Sequence, residues 1–161
     1  MARIVRTLVA GVGAACLISL ASAAAQAPNT HIGTWRVNVA KSTYDPGPAP
    51  QSQTVKYEAS VGGLKLTSDG VDAKGVKTHA EYTAKFDGKP YAFSGNANAD
   101  MITIKQVDAR TLESSWTLRG KPTITTRSTV SADGKSRSAT QTGTNAAGQK
   151  VNNTIVYERQ M

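Results

Sequence analysis

The chain has 161 residues and a net charge of +8, from 19 Lys and Arg against 11 Asp and Glu. That length suits one domain with its own core, and the single cysteine, Cys16, excludes a disulfide scaffold. Lys and Arg stand singly, without aromatic interleaving or a nucleic-acid-binding motif, so the charge describes a solvated basic surface and excludes a nucleic-acid partner.

Residues 1–25 read as an export signal. Arg3 and Arg6 form a positive start, an apolar run extends from Leu8 to about Leu20, and Ala23-Ala24-Ala25 suits cleavage before Gln26. The run is short for a bilayer span, so no stable membrane anchor is expected after cleavage. Cys16 leaves with the signal, and the chain stays apolar well past it, which argues against lipid attachment. The mature domain is then residues 26–161, periplasmic or secreted, without cysteine, its charge reduced from +8 to +6 by loss of Arg3 and Arg6.

From there the predicted elements are strands. The first is 32–39, where Trp35, Val37 and Val39 alternate with Arg36 and Asn38. Residues 45–50, Asp-Pro-Gly-Pro-Ala-Pro, break regular structure. Alternating segments follow at 53–60, 63–69, 76–86, 89–94, 101–107, 111–118, 122–131, 135–142 and 149–158. Turn signals such as Gly62-Gly63, Lys74-Gly75, Asp87-Gly88, Gly120 and Asp133-Gly134 separate them. No segment of the mature chain has a helical period of apolar residues. The pattern predicts an all-β fold: an antiparallel up-and-down meander of about eight to ten strands, closed into a barrel so that no edge is left exposed.

Alternation assigns the two faces. Val55, Tyr57, Leu64, Leu66, Ala80, Tyr82, Tyr91, Phe93, Ile102, Ile104, Leu112, Trp116, Leu118, Ile155 and Tyr157 share the inner parity. Glu58, Glu81, Glu113 and Glu158, with Lys56, Lys65, Lys85 and Lys105, share the outer one.

Two terminal segments carry a family resemblance. Gly33-Thr34-Trp35-Arg36-Val37 near the mature start and Asn153-Thr154-Ile155-Val156-Tyr157-Glu158-Arg159 at the end resemble the first and last strands of the calycin superfamily, the lipocalins and fatty-acid-binding proteins. The segment from Gly120 to Arg127 resembles a later strand of the fatty-acid-binding branch. The resemblance implies a ligand-binding barrel in which Arg159 crosses the Trp35 ring at the closed end, with Gly33, Trp35 and Arg159 as structural closure. The sequence departs from that branch in two places. The Pro-rich segment 43–51 stands where two capping helices would be, so no helical lid is expected. Ile155 stands where the branch has the arginine of its terminal Arg-x-Tyr, leaving Tyr157 alone. Arg127 matches the other family arginine, but its parity is outward if Ile124 and Val130 point inward; Thr123, Thr125 and Thr129 share its face, and a polar lumen would reverse that reading.

The residues mark no catalytic constellation. The strand glutamates point outward, and Asp69, Asp72, Asp87, Asp100, Asp108 and Asp133 sit in turns, where Asp caps its own backbone. No nucleophile elbow or phosphate-binding glycine loop occurs. His31 and His79 are the only histidines and are far apart in sequence, so neither a metal nor another cofactor is expected. The remaining candidates are the lumen residues Tyr57, Tyr82, Phe93, Trp116, Arg127 and Tyr157. They fit a non-enzymatic barrel that binds a small apolar or amphipathic ligand. The alternative is a filled barrel acting on an envelope partner through its basic surface; no protein partner can be named from the residues.

Overall fold

The computed structural model describes residues 29–161. The export signal therefore lies outside the described residues. Ten strands form: β1 (Gly33–Val37), β2 (Ser52–Ser60), β3 (Gly63–Val71), β4 (Lys77–Lys85), β5 (Tyr91–Ser94), β6 (Met101–Asp108), β7 (Thr111–Leu118), β8 (Lys121–Val130), β9 (Ser136–Thr144) and β10 (Lys150–Gln160). Each pairs antiparallel with its neighbours in sequence, and β1 also pairs with β10, which closes the barrel. Among the described residues the fold is thus all-β, ten antiparallel strands closed into a barrel. Between β1 and β2 there is only a short 3₁₀ turn, Val39–Lys41, and the Pro-rich loop.

Strand β1 is shorter than its alternation predicts. The Asn38 side chain accepts from the Lys41 backbone N–H at 3.1 Å and caps that turn, so the chain leaves the sheet after Val37. It returns beside β10 a few residues later: Thr43 exchanges two backbone hydrogen bonds with Thr154, at 2.8 and 2.9 Å, and the Asn152 N–H donates to the Asp45 carbonyl at 2.7 Å. The loop thereby satisfies the part of β10 that β1 no longer reaches.

Antiparallel succession places alternate turns at opposite ends. The segment before β1 and the β2–β3, β4–β5, β6–β7 and β8–β9 turns gather at one end. The Pro-rich loop and the other turns gather at the opposite end, the mouth. The core is densest toward the first end, where Trp35 and Leu64 are fully buried. The inner parity is realised in every strand that was assigned one: Val55, Tyr57, Leu66, Tyr82, Phe93, Ile102, Ile104, Leu112, Ile155 and Tyr157 are all buried. On the outside, Lys56 pairs with Glu58 at 2.9 Å, Lys65 with Glu81 at 3.6 Å and Lys41 with Glu158 at 3.1 Å.

Candidate functional site

The closed end is built around Trp35, which β1 places between Val55 of β2 and Arg159 of β10. Its indole N–H donates to the His31 carbonyl at 2.7 Å, tying the strand to the segment before it. The Arg159 guanidinium carbon lies 4.2 Å from the Trp35 ring centroid. Three carbonyls accept from that guanidinium: Gly134 from Nε at 2.7 Å, Ile32 from Nη1 at 2.8 Å and Thr30 from Nη2 at 2.6 Å. Gly33 makes this possible. Its φ is +129°, and a Cβ there would stand 2.6 Å from Arg159 Nη1, so any side chain would push the guanidinium out of its cradle.

Above this plug lies a cationic centre that apolar alternation in the sequence does not mark. Arg137, on β9, is 3% exposed. Its Nη1 donates to the Tyr57 hydroxyl and to the Ser128 hydroxyl, each at 3.0 Å. Its guanidinium carbon is 4.0 Å from the Tyr157 ring centroid, 5.1 Å from that of Tyr57 and 5.7 Å from that of Trp35. Its Nε is buried without a hydrogen-bond partner among the described residues. Among the described residues no carboxylate pairs with it. The aromatic faces and two hydroxyls partly replace the lost hydration, but they do not neutralise the charge.

His31 is also fully buried here, with its ring edge-on to Tyr57 at 5.9 Å. Desolvation, reinforced by the Arg137 charge, pushes its pKa down to about 3, so it is neutral at ordinary pH. Burial raises the Tyr82 and Tyr157 hydroxyl pKa values, so both stay protonated donors. The Tyr157 hydroxyl donates to Gln53 Oε1 at 3.0 Å.

The lumen above Arg137 is a cavity of about 140 Å³. Tyr82 and Phe93 meet edge to face at 5.1 Å, and Phe93 and Trp116 at 5.5 Å, forming an aromatic wall. Trp116 is half-buried rather than a core ring. A register shift between Ser115 and Thr117 on the β8 side falls on it, and its indole donates to Ser114 Oγ at 3.2 Å. It stands at the boundary between the lumen and a second cavity of about 250 Å³ under the Pro-rich loop, lined by Tyr44, Pro46, Pro48 and Pro50. Trp116 and Gln141 line both spaces, so the two adjoin there.

The structure thus brings Tyr57, Tyr82, Phe93, Trp116 and Tyr157 around one lumen. Arg127 is a correction: it lies on the outer face, exposed and paired with Glu113. Ile124, Ser128 and Val130 are buried instead, so β8 keeps the parity of its apolar residues and its threonines do not reverse it. The inward placement of Arg137 is not legible from β9, which reads Ser-Arg-Ser-Ala-Thr-Gln-Thr-Gly-Thr, with almost no apolar residue to set a face. The one usable signal is Ala139, two residues on and therefore on the same face; it is buried. Of the histidines, His79 sits on the outer face with Nδ1 2.7 Å from Asp69 Oδ1, remote in role from His31 in the core.

No protein-family description matches the sequence, and no curated protein does. Among solved structures, the chain is similar to zebrafish ileal bile acid-binding protein complexed with cholic acid, at 9% identity and a TM-score of 0.47, covering 82% of this chain and 100% of that one. In fold the described chain is a closed barrel of ten consecutive antiparallel strands, the first pairing with the last.

Proposed function

We propose that this barrel is a binding protein that holds a small amphipathic molecule in its lumen, its apolar part on the aromatic wall and its anionic or hydrogen-bonding end toward Arg137. The observation that carries this reading is a buried guanidinium with no carboxylate partner among the described residues, at the floor of a cavity lined by aromatic rings. Leaving a charge buried without a counter-ion costs several kcal/mol. An anionic ligand group would recover part of that cost. The test is a titration of the mature protein with matched carboxylic acids and alcohols of increasing apolar size, followed by calorimetry. Saturable binding, tighter for the acid than for the alcohol of each pair, is expected. Absence of saturable binding across the panel would overturn the reading.

One observation favours a second reading. A lumen of about 140 Å³ lies below the roughly 300 Å³ at which ordinary ligand pockets begin. A largely filled barrel would act instead through its basic outer surface on an anionic envelope component. Affinity purification from envelope extracts separates the two: a macromolecule retained by a ligand-free barrel supports the second.

Export is part of the same proposal. Arg3, Arg6, the apolar run and Ala23-Ala24-Ala25 support removal of residues 1–25 and a periplasmic or secreted barrel. Mass measurement of the exported protein should give a chain starting near Gln26; an intact Met1 would contradict it.

A further inference from the structure

The lumen is two-sided. Register places Leu66 opposite Tyr82 and Tyr82 opposite Phe93, so one row across β3, β4 and β5 is apolar and aromatic. About halfway round the ring, a second row is polar. Thr126 of β8 is the register partner of Ser114 on β7 and of Gln141 on β9, so three polar side chains stand side by side at one level. All three line the cavity. The Gln141 side-chain oxygen accepts from Asn153 at 3.1 Å, and the Ser114 hydroxyl oxygen accepts from Trp116. Thr126 Oγ1 is buried with no hydrogen-bond partner among the described residues. A buried hydroxyl without a partner is expensive and uncommon in a folded interior.

Resting on the lumen-binding reading above, we infer that the site takes a single-ring, oxygenated ligand, with its flat face on Tyr82 and Phe93 and a ring hydroxyl on Thr126, between Ser114 and Gln141. Size and sidedness point the same way. A cavity of about 150 Å³ accommodates a benzene-sized molecule, and the lumen here is about 140 Å³. A long alkyl chain would have to run out past Trp116 into the mouth. It would also press methylene groups against Thr126, leaving its hydroxyl unpaired. A hydroxylated ring has one apolar face and a polar edge, and it matches both rows at once. Thr126 then acts as a specificity residue: it reads the presence of an oxygen substituent on the ring.

The experiment uses the mature protein with benzoate, 4-hydroxybenzoate, 3,4-dihydroxybenzoate and laurate as probes, measured by calorimetry. Thr126→Val keeps the side-chain shape and removes the hydroxyl; Gln141→Leu is the second variant, and thermal unfolding checks that each remains folded. At least one hydroxylated ring should bind more tightly than benzoate and than laurate. Thr126→Val should weaken that ligand about three- to tenfold, the range of one hydrogen bond, and change benzoate less than twofold. Tighter binding of laurate, no gain from any ring hydroxyl, or equal losses for benzoate and its hydroxylated form in Thr126→Val would overturn this inference while leaving lumen binding intact. No saturable binding by any of the four would overturn both.

Discussion

Arg159 is held by three carbonyls and one indole face, with no acidic partner among the described residues. Its contribution is therefore packing, hydrogen bonding and cation–π attraction rather than an ion pair. In a double-mutant cycle of Arg159→Ala and Trp35→Phe, the losses should be non-additive, with a coupling of about 0.5–2 kcal/mol. Additive losses in urea unfolding would show that the two side chains do not act together. His31 makes a pH prediction. Its folded pKa of about 3 lies below the unfolded value of 6.5. The unfolded chain therefore binds the proton first, and the stability from a neutral buried His31 is complete above pH 6.5 and lost as pH falls toward 3. Urea unfolding should weaken by up to about 1.4 kcal/mol per pH unit below pH 6, and His31→Gln should flatten that slope. A slope unchanged by the substitution would mean that the histidine is protonated in the fold. Neither the depth of His31 nor the role of Arg137 was legible in the sequence. Both are polar residues whose burial depends on register across the barrel, not on their own neighbours in the chain.

Strands with strong alternation were readable, and those without it were not. β2, β3, β6 and β10 carry two or more large apolar residues at one parity, and β4 sets Tyr82 between two alanines, so a single reading satisfies all of them. β8 and β9 are rich in Thr and Ser, and each is oriented by a few apolar residues: Ile124 and Val130 in one, Ala139 in the other. In β7 the alternation was correct but burial was overestimated, because the bulge at Trp116 sets that ring at the boundary of the lumen rather than deep in the core. The two tryptophans should therefore differ. Trp35→Ala should cost about 3–5 kcal/mol, as for a fully buried large ring, and Trp116→Ala about 1–3 kcal/mol. Glu113→Ala, which breaks only the exposed pair with Arg127, should change stability by under about 0.5 kcal/mol. Equal costs for the two tryptophan changes in denaturant unfolding would contradict the placement of Trp116.

Ten strands enclose more space than an eight-strand barrel, yet the open lumen is about 140 Å³. The difference is occupied from below. Trp35, His31, Arg137, Tyr57 and Tyr157 fill the closed half, while Pro46, Pro48 and Pro50 overhang the other end. Side-chain volume at the closed end, rather than strand number, sets the size of the lumen. Closure itself rests on β10, which supplies both the partner of β1 and the plug. Deleting residues 159–161 should leave β1 poorly held and expose strand edges, so the shortened protein should self-associate in size-exclusion chromatography. A monomer of unchanged thermal stability would show that the last turn of pairing is dispensable.

The pairing of Trp35 with Arg159 joins residues separated by most of the chain. Hairpins between consecutive strands are local and can form early, but this final seam carries the largest loop-closure entropy in the molecule. A nascent chain still lacking its last residues would hold a nearly complete meander with two open edges and an unplugged floor. Loop entropy therefore predicts that closure comes late in time as well as in sequence, and that the interval before it is when the open edges are most exposed to a second copy of the chain.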